Sequence, residues 1–60
     1  MYYRVVTYDI HGYVIPLAFA HTLSAALLMA QRQAERLPYV DIEAQVDGVW
    51  ILSIDYKHEE

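Results

Sequence analysis

Three histidines are the most versatile chemical groups of this chain, because an imidazole can bind a metal ion or transfer a proton near neutral pH. No two of His11, His21 and His58 have the close spacing of a zinc motif. We therefore expect histidines that are exposed or hydrogen-bonded locally, with no metal and no cofactor. The alternative is a regulatory domain that binds a metal or a small ligand through His11 and His21, with an acid such as Asp9 nearby.

A row of acidic residues is the second candidate site. Asp41, Glu43 and Asp47 are odd-numbered positions of one segment, so on a strand their side chains would share the solvent face of a sheet. Catalysis by paired carboxylates requires a cleft that perturbs their pKa values, and an exposed strand face does not supply one. We expect either a solvated surface or a row that imitates nucleic-acid phosphates or binds a basic groove on a partner protein.

Nucleophilic catalysis has no support in the sequence. There is no cysteine, Ser24 and Ser53 have no histidine beside them, and the only glycines, Gly12 and Gly48, form no phosphate-binding loop. A chain of 60 residues also leaves little room for a substrate pocket beside its core. We predict that the protein is not an enzyme.

Length and composition favour one domain, residues 1–60, that associates with another protein. A domain of this size buries only about 60% of the surface of its unfolded chain. Hydrophobic residues make up 57% of the sequence, which is more than so small a core easily hides. Because the chain has no cysteine for disulfides, we expect a homodimer in the reducing cytoplasm.

Charge and hydropathy argue against two classes of partner. The formal net charge is −4 and the four basic residues form no run, so we expect no direct binding of nucleic acid. No stretch approaches about 18 consecutive apolar residues, so we expect no membrane-spanning helix and no signal peptide. A protein is the partner that we expect.

Six tyrosines are the most unusual feature of the composition. One explanation is the strand propensity of tyrosine, with several rings half-buried. The other is a partner surface, because tyrosine combines a large apolar ring with a hydroxyl group that tolerates water. We predict that Tyr3, Tyr13 and Tyr39 bind the partner together with the acidic row.

Patterning predicts a first hairpin and a helix. Residues 2–10 and 13–19 are rich in β-branched and aromatic types, and the dipeptide His11–Gly12 between them predicts a two-residue turn, with Tyr3 and Val5 on the outer face. Pro16 places the second strand at an edge or at a break. The apolar spacing over 23–37 predicts an amphipathic helix capped by Thr22 and ended by Pro38.

A second hairpin follows over 39–46 and 49–56. A two-residue turn at Asp47–Gly48 would place the apolar side of one strand opposite the polar side of the other. We therefore predict a three-residue loop of Val46–Gly48, which would put Trp50 on the helix side with the core.

One helix covers one face of a sheet, so the remaining apolar residues predict an interface between two copies. Val49 and Ile51 are expected on the uncovered face, and Leu28 and Met29 extend the apolar surface of the helix. The dimer is predicted to form either through the uncovered sheet face, with Val49 and Ile51, or through Leu28 and Met29. A purely structural dimer without a soluble ligand is the simplest form of this hypothesis.

The stretches "YRVVTYD", "TLSAALLMAQRQAERL" and "VDIEAQVDGVWILSIDY" give a strand, a helix and a closing hairpin that cover nearly the whole chain. In this architecture the chain resembles small accessory proteins of phages and mobile elements, some of which are anti-CRISPR inhibitors. The resemblance implies binding to a host or defence protein and assigns no site residue. The "TL..AL" start of the helix after a hairpin is similar to the N-terminal half of HicB-like antitoxins, which implies an antitoxin-type regulator.

The sequence thus predicts an α+β domain of ββαββ type, with a four-stranded antiparallel sheet packed on one amphipathic helix. Its predicted function is that of a small protein-binding module without enzymatic activity.

Overall fold

Two β-hairpins joined by one helix form the structure. The computed structural model describes residues 1–59, with β1 at Tyr2–Tyr8, β2 at Val14–Ala20, α1 at Leu23–Ala34, β3 at Tyr39–Val46 and β4 at Val49–His58. The four strands form one antiparallel sheet in the order β2-β1-β3-β4, and α1 packs across one face of it. The predicted α+β architecture of ββαββ type is confirmed.

Helix α1 begins at the predicted cap and ends before the predicted stop. The Thr22 hydroxyl accepts a hydrogen bond from an amide of the first turn at 3.1 Å. The helix ends at Ala34, although the amide of Leu37 still donates to the carbonyl of Gln33 at 3.0 Å. Pro38 disfavours helical geometry at the residue before it, so the chain turns here into β3.

The core lies between α1 and the two central strands. Ala26 and Ala30 of α1 are fully buried and pack in one cluster with Val5, Val40 and Ile42 of the sheet. Because alanine has the smallest side chain that still favours a helix, these positions let the helix axis approach the sheet closely.

The first hairpin has a longer turn than predicted. One carboxylate oxygen of Asp9 accepts hydrogen bonds from the amides of His11 and Tyr13, at 2.8 and 2.9 Å. Strand β2 therefore starts at Val14, which pairs with Tyr8. The predicted two-residue turn is wrong because the Asp9 side chain stabilises a wider turn by bonding to the backbone.

The pairing of β1 with β3 shows which face of β1 the helix covers. Val5 lies opposite Ile42 and Tyr3 opposite Ala44, and both pack in the core on the side of α1, so their prediction for the outer face is wrong. Pro16 lies on an edge strand, as predicted, and Leu17 is an extra residue where the pairing with β1 shifts. We call the face of the sheet away from α1 the open face.

The second hairpin has the two-residue turn that the sequence argument rejected. Val46 pairs with Val49, and Asp47 and Gly48 form the turn with φ of 51° and 79°. Positive φ at both central positions is typical of a type I′ turn, which suits the twist of the flanking strands. Trp50 consequently lies on the open face, and its predicted position on the helix side is wrong.

Irregularities in β4 explain the error. Glu43 pairs with Leu52 while Ile42 pairs with Ile54, so Ser53 is an extra residue on β4. A bulge of this kind reverses which side chains of the strand face the core. Ile54 thereby returns to the helix side, where it packs against the core cluster. The predicted position of Trp50 holds only for an uninterrupted alternation along β4.

Candidate functional site on the open face

A buried carboxylate organises one end of the open face. The Asp41 side chain is only 2% exposed. Its Oδ2 accepts a hydrogen bond of 2.5 Å from the Tyr8 hydroxyl, and its Oδ1 lies 2.8 Å from Nε2 of His58. The same Nε2 lies 2.7 Å from Oδ1 of Asp55. We call Tyr8, Asp41, Asp55 and His58 the polar cluster.

A second bulge brings the polar cluster together. Asp41 pairs with Asp55 while Val40 pairs with Lys57, so Tyr56 is an extra residue in β4. Asp55 and His58 are three positions apart and would point to opposite faces of a regular strand. The bulge changes this parity and directs both side chains to Asp41 on the open face.

The polar cluster shifts the protonation of two of its members. The hydrogen bond to Asp41 raises the pKa of His58, and the negative charges of Asp41 and Asp55 act in the same direction, whereas desolvation lowers it. Burial raises the pKa of Tyr8 well above its usual value, and the hydrogen bond to Asp41 adds to this effect. Tyr8 therefore stays a neutral donor, and His58 favours its charged form.

An ion pair occupies the middle of the open face. Nε of Arg4 lies 2.7 Å from Oε1 of Glu43, and both side chains are less than a fifth exposed. The Arg4 guanidinium also lies 4.5 Å from the centre of the Trp50 ring, in a cation–π contact. Glu43 is thus neutralised within the protein.

Aromatic rings from three strands meet at the other end of the open face. Tyr2 lies 5.9 Å from Phe19 and 5.8 Å from Trp50, measured between ring centres, and Phe19 lies 6.1 Å from Trp50. The ring of His21 lies 5.0 Å from that of Tyr2. We call these four residues the aromatic cluster. It shields part of the open face, although about half of Phe19 remains exposed.

A shallow depression adjoins the polar cluster. Its volume is about 420 Å³ and it is lined by Tyr8, Asp9, Ile10, Pro38 and Tyr39. Tyr8 also contacts Asp41, and the Tyr39 ring lies edge-on to the ring of His58, with 5.8 Å between ring centres. The depression thus shares Tyr8 and Tyr39 with the surroundings of Asp41 and His58.

The predicted acidic row is not a solvated surface. Asp41 is buried and hydrogen-bonded, Glu43 pairs with Arg4, and only Asp47 is exposed, in the turn after β3. The prediction treated all three as free carboxylates because the sequence does not show that Tyr8 and Arg4 lie opposite them.

The predicted tyrosines are in three different settings. Tyr3 faces α1 and packs against the core, so it is not available on the open face. Tyr13 is exposed in the first turn, and Tyr39 is partly buried beside His58.

The predicted dimer residues differ in their exposure and position. Met29 packs against the core, whereas Leu28 is half-exposed on the helix. Val49 and Ile51 are 59% and 49% exposed, but the register places them on the helix side of β4 and not on the open face. Their predicted position is corrected accordingly.

The structure does not bring the predicted histidine pair together. The His11 ring lies near Tyr13, in the turn between β1 and β2, whereas His21 contacts Tyr2 in the aromatic cluster. The histidine that meets carboxylates is His58. The only sign of this site in the sequence was that Asp55 and His58 are three positions apart. That spacing indicates a shared face only when the bulge at Tyr56 is known.

Comparison with known proteins adds no relative. No protein-family model matches this sequence, and no curated protein or solved structure shows significant similarity to it. Within residues 1–59, no helix combines the length and the apolar character needed to cross a membrane.

Proposed function

We propose that the chain is a non-enzymatic module that binds a protein through its open face. The observation that carries this proposal is the aromatic cluster, with Phe19 half-exposed and Trp50 and Tyr2 partly exposed around it. Tryptophan and tyrosine provide a large share of binding energy at protein interfaces. The aromatic cluster therefore suits a partner surface with an apolar centre.

The distribution of charge supports a basic rim on that partner. The exposed acids Asp9, Asp47 and Asp55 lie in the turns and the strand that border the open face. The basic side chains outside the Arg4 ion pair lie toward the helix. Arg32 is in the last turn of α1, Arg36 follows the helix, and Lys57 donates to the carbonyl of Ala34. An acidic border favours encounter with a basic surface and disfavours acidic ones.

A second copy of the chain is the occupant that we propose for the edge of β4. This strand lies at the edge of the sheet, and its first residues expose apolar side chains on both faces, Val49 and Ile51 on one and Leu52 on the other. An edge strand of this composition pairs readily with another strand. A specific dimer buries roughly 800 Å² of each copy, about a fifth of the 4121 Å² surface of this chain.

The tagged chain can be used to capture proteins from a lysate of the natural host. Comparing the amount of partner that wild type and matched variants recover tests the open face. Phe19→Ala removes an aromatic ring from the open face, and Leu28→Ala removes an equally exposed apolar side chain from the helix. Asp47→Asn removes one negative charge from the border of the open face. Glu35→Gln removes one negative charge from the helix side. We expect one stoichiometric partner that is lost with Phe19→Ala, weakened with Asp47→Asn and retained with the other two variants.

Equal recovery of that partner by all four variants would overturn the proposal. Circular dichroism of each variant shows whether a loss reflects unfolding. An inhibitor of a host or defence protein and an antitoxin-type regulator both belong to this class, and the identity of the captured partner distinguishes them.

Sedimentation tests the dimer. We expect Ile51→Glu to convert the dimer to a monomer, because it would place two charges at the β4 contact, whereas Leu28→Glu on the helix leaves the dimer intact. A monomeric wild-type chain, or the reverse effect of the two variants, would refute the edge contact.

A further inference from the structure

Three potential metal ligands converge on the open face beside the depression. The oxygens of Asp41 and Asp55 and the imidazole nitrogen of His58 all lie within 4.8 Å of one another. These residues come from two neighbouring strands and are brought together by the bulge at Tyr56. We propose that they form a site for a divalent transition-metal ion of the Zn²⁺ type.

The distances between the ligand atoms suit a shared ion. Nε2 of His58 lies 2.8 Å from the Asp41 oxygen and 2.7 Å from the Asp55 oxygen. In a tetrahedral zinc site with bonds of about 2.0 Å, adjacent ligands are about 3.3 Å apart. Nε2 of His58 would need to move away from each of the two oxygens by about half an ångström to share an ion with them.

The charges of the cluster also suit a divalent cation. A single nitrogen faces two carboxylate oxygens and carries at most one proton, which it must share between them. A divalent cation would balance both carboxylates and would bond to the nitrogen as well. Only the Nδ1 position of the imidazole would then carry a proton.

Residues outside the three ligands already hold them in place. The Tyr8 hydroxyl donates a hydrogen bond to Oδ2 of Asp41, and the other oxygen, Oδ1, lies beside His58. The Tyr39 ring packs edge-on against the imidazole and fixes its plane. Partners of this kind orient the ligands of known metal sites and tune their affinity.

The surroundings leave open positions on the ion. The side chains of Asp55 and His58 are 64% and 45% exposed, whereas Asp41 is buried. The depression lined by Tyr8 and Tyr39 adjoins the ligands and has room for water or for a small ligand. The ion would therefore have three protein ligands and could exchange with solvent. A closed structural site, by contrast, has four protein ligands.

The ligand types determine which ion is preferred. Imidazole favours zinc, copper, nickel and iron, whereas carboxylates alone suit magnesium and calcium. A set with one nitrogen and two oxygens therefore binds Zn²⁺ more tightly than Mg²⁺.

Calorimetric titration of the full chain with zinc chloride, after treatment with a chelator, tests the site. We expect saturable binding of one ion per chain, with at least about tenfold weaker affinity in His58→Gln and in Asp55→Asn. His21→Gln and Asp47→Asn are the matched controls, since each removes the same chemical group elsewhere, and both should bind as the wild type does. Both ligand variants change exposed side chains, so the fold should survive, and circular dichroism checks this.

A nuclear magnetic resonance titration of the imidazole signals gives an independent readout. Zinc should shift the ring signals of His58 first and leave those of His11 and His21 unchanged at one equivalent. No saturable binding to the wild type, equal affinity in His58→Gln, or loss of binding in His21→Gln would overturn the proposal. Equal affinity for magnesium chloride would refute the assigned class of ion.

Discussion

The hydroxyl of Tyr8 donates a hydrogen bond to Asp41, a carboxylate that is almost completely buried on a face of the sheet that no helix covers. The two residues are 33 positions apart in sequence and belong to β1 and β3, at the centre of the sheet. The contact therefore joins the two hairpins.

Tyr8→Phe should lower the free energy of unfolding by about 1–3 kcal/mol, because it removes a donor and leaves a buried carboxylate oxygen without its partner. Urea denaturation followed by circular dichroism measures the change. Tyr13→Phe is the matched control in the exposed first turn, where we expect a change within about 0.5 kcal/mol. Equal effects of the two substitutions would show that the hydroxyl of Tyr8 does not stabilise the fold.

Stability should depend on pH through His58 when metal is removed with a chelator. The pKa of His58 in the folded chain is raised above 6.5, mainly by the hydrogen bond to Asp41, with Asp55 on the same strand adding to it. The charged form of His58 therefore stabilises the folded chain fully below 6.5, the pKa of the unfolded state. This stabilisation is lost as the pH rises through the higher pKa of the folded state. Wild type and His58→Gln should therefore differ most at mildly acidic pH and converge at alkaline pH.

Denaturation midpoints of both proteins across this pH range provide the measurement. His11→Gln, in the exposed turn, should follow the wild-type profile. A difference between wild type and His58→Gln that grows toward alkaline pH would have the wrong sign and would contradict the assigned contact.

Gly48→Ala should destabilise the chain by about 1–2 kcal/mol. Gly48 has a φ of 79°, and a Cβ atom there would meet no neighbouring atom within 4 Å, so the cost comes from the backbone conformation and not from a clash. Asp47→Asn is the control, because asparagine tolerates positive φ in such turns. Thermal unfolding measures both, and a neutral Gly48→Ala would contradict the left-handed conformation of Gly48.

Fluorescence of Trp50 should report a partly exposed ring. The chain contains one tryptophan, so its emission can be assigned without ambiguity. We expect quenching by acrylamide to be intermediate between that of a buried and of a free indole, and Phe19→Ala to increase it by uncovering the ring. An unquenched, blue-shifted emission would place Trp50 in the core, as the sequence argument had it.

The fold was predictable because its elements have local signals. Thr22 and Pro38 bound the helix through capping and steric effects that act within one turn, and Asp47–Gly48 suits a hairpin turn by its conformational preference alone. These signals define the number and order of the elements. They do not define how the strands align.

The site was not predictable because it depends on alignment. Extra residues at Ser53 and Tyr56 change which side chains of β4 point to the open face, and neither residue type marks a bulge in the sequence. Trp50 was consequently assigned to the helix side, and the contact of His58 with Asp41 was not predicted. The helix predicted over 23–37 has an apolar stripe that includes Leu23, Leu27 and Ala30. The structure buries Ala30, as this stripe predicts, but it buries Ala26 in place of the two leucines, which are more than a third exposed.

The two edges of the sheet have unequal capacity to grow. On β2, Pro16 lacks an amide proton and Leu17 interrupts the pairing, so this edge cannot template an added strand. On β4, only Val49–Leu52 precede the first bulge. A chain with one short edge that can pair is able to form a dimer. It has no second such edge to which a third copy could add. The same irregularities that build the polar cluster therefore oppose fibril formation in a chain this rich in strand-forming residues.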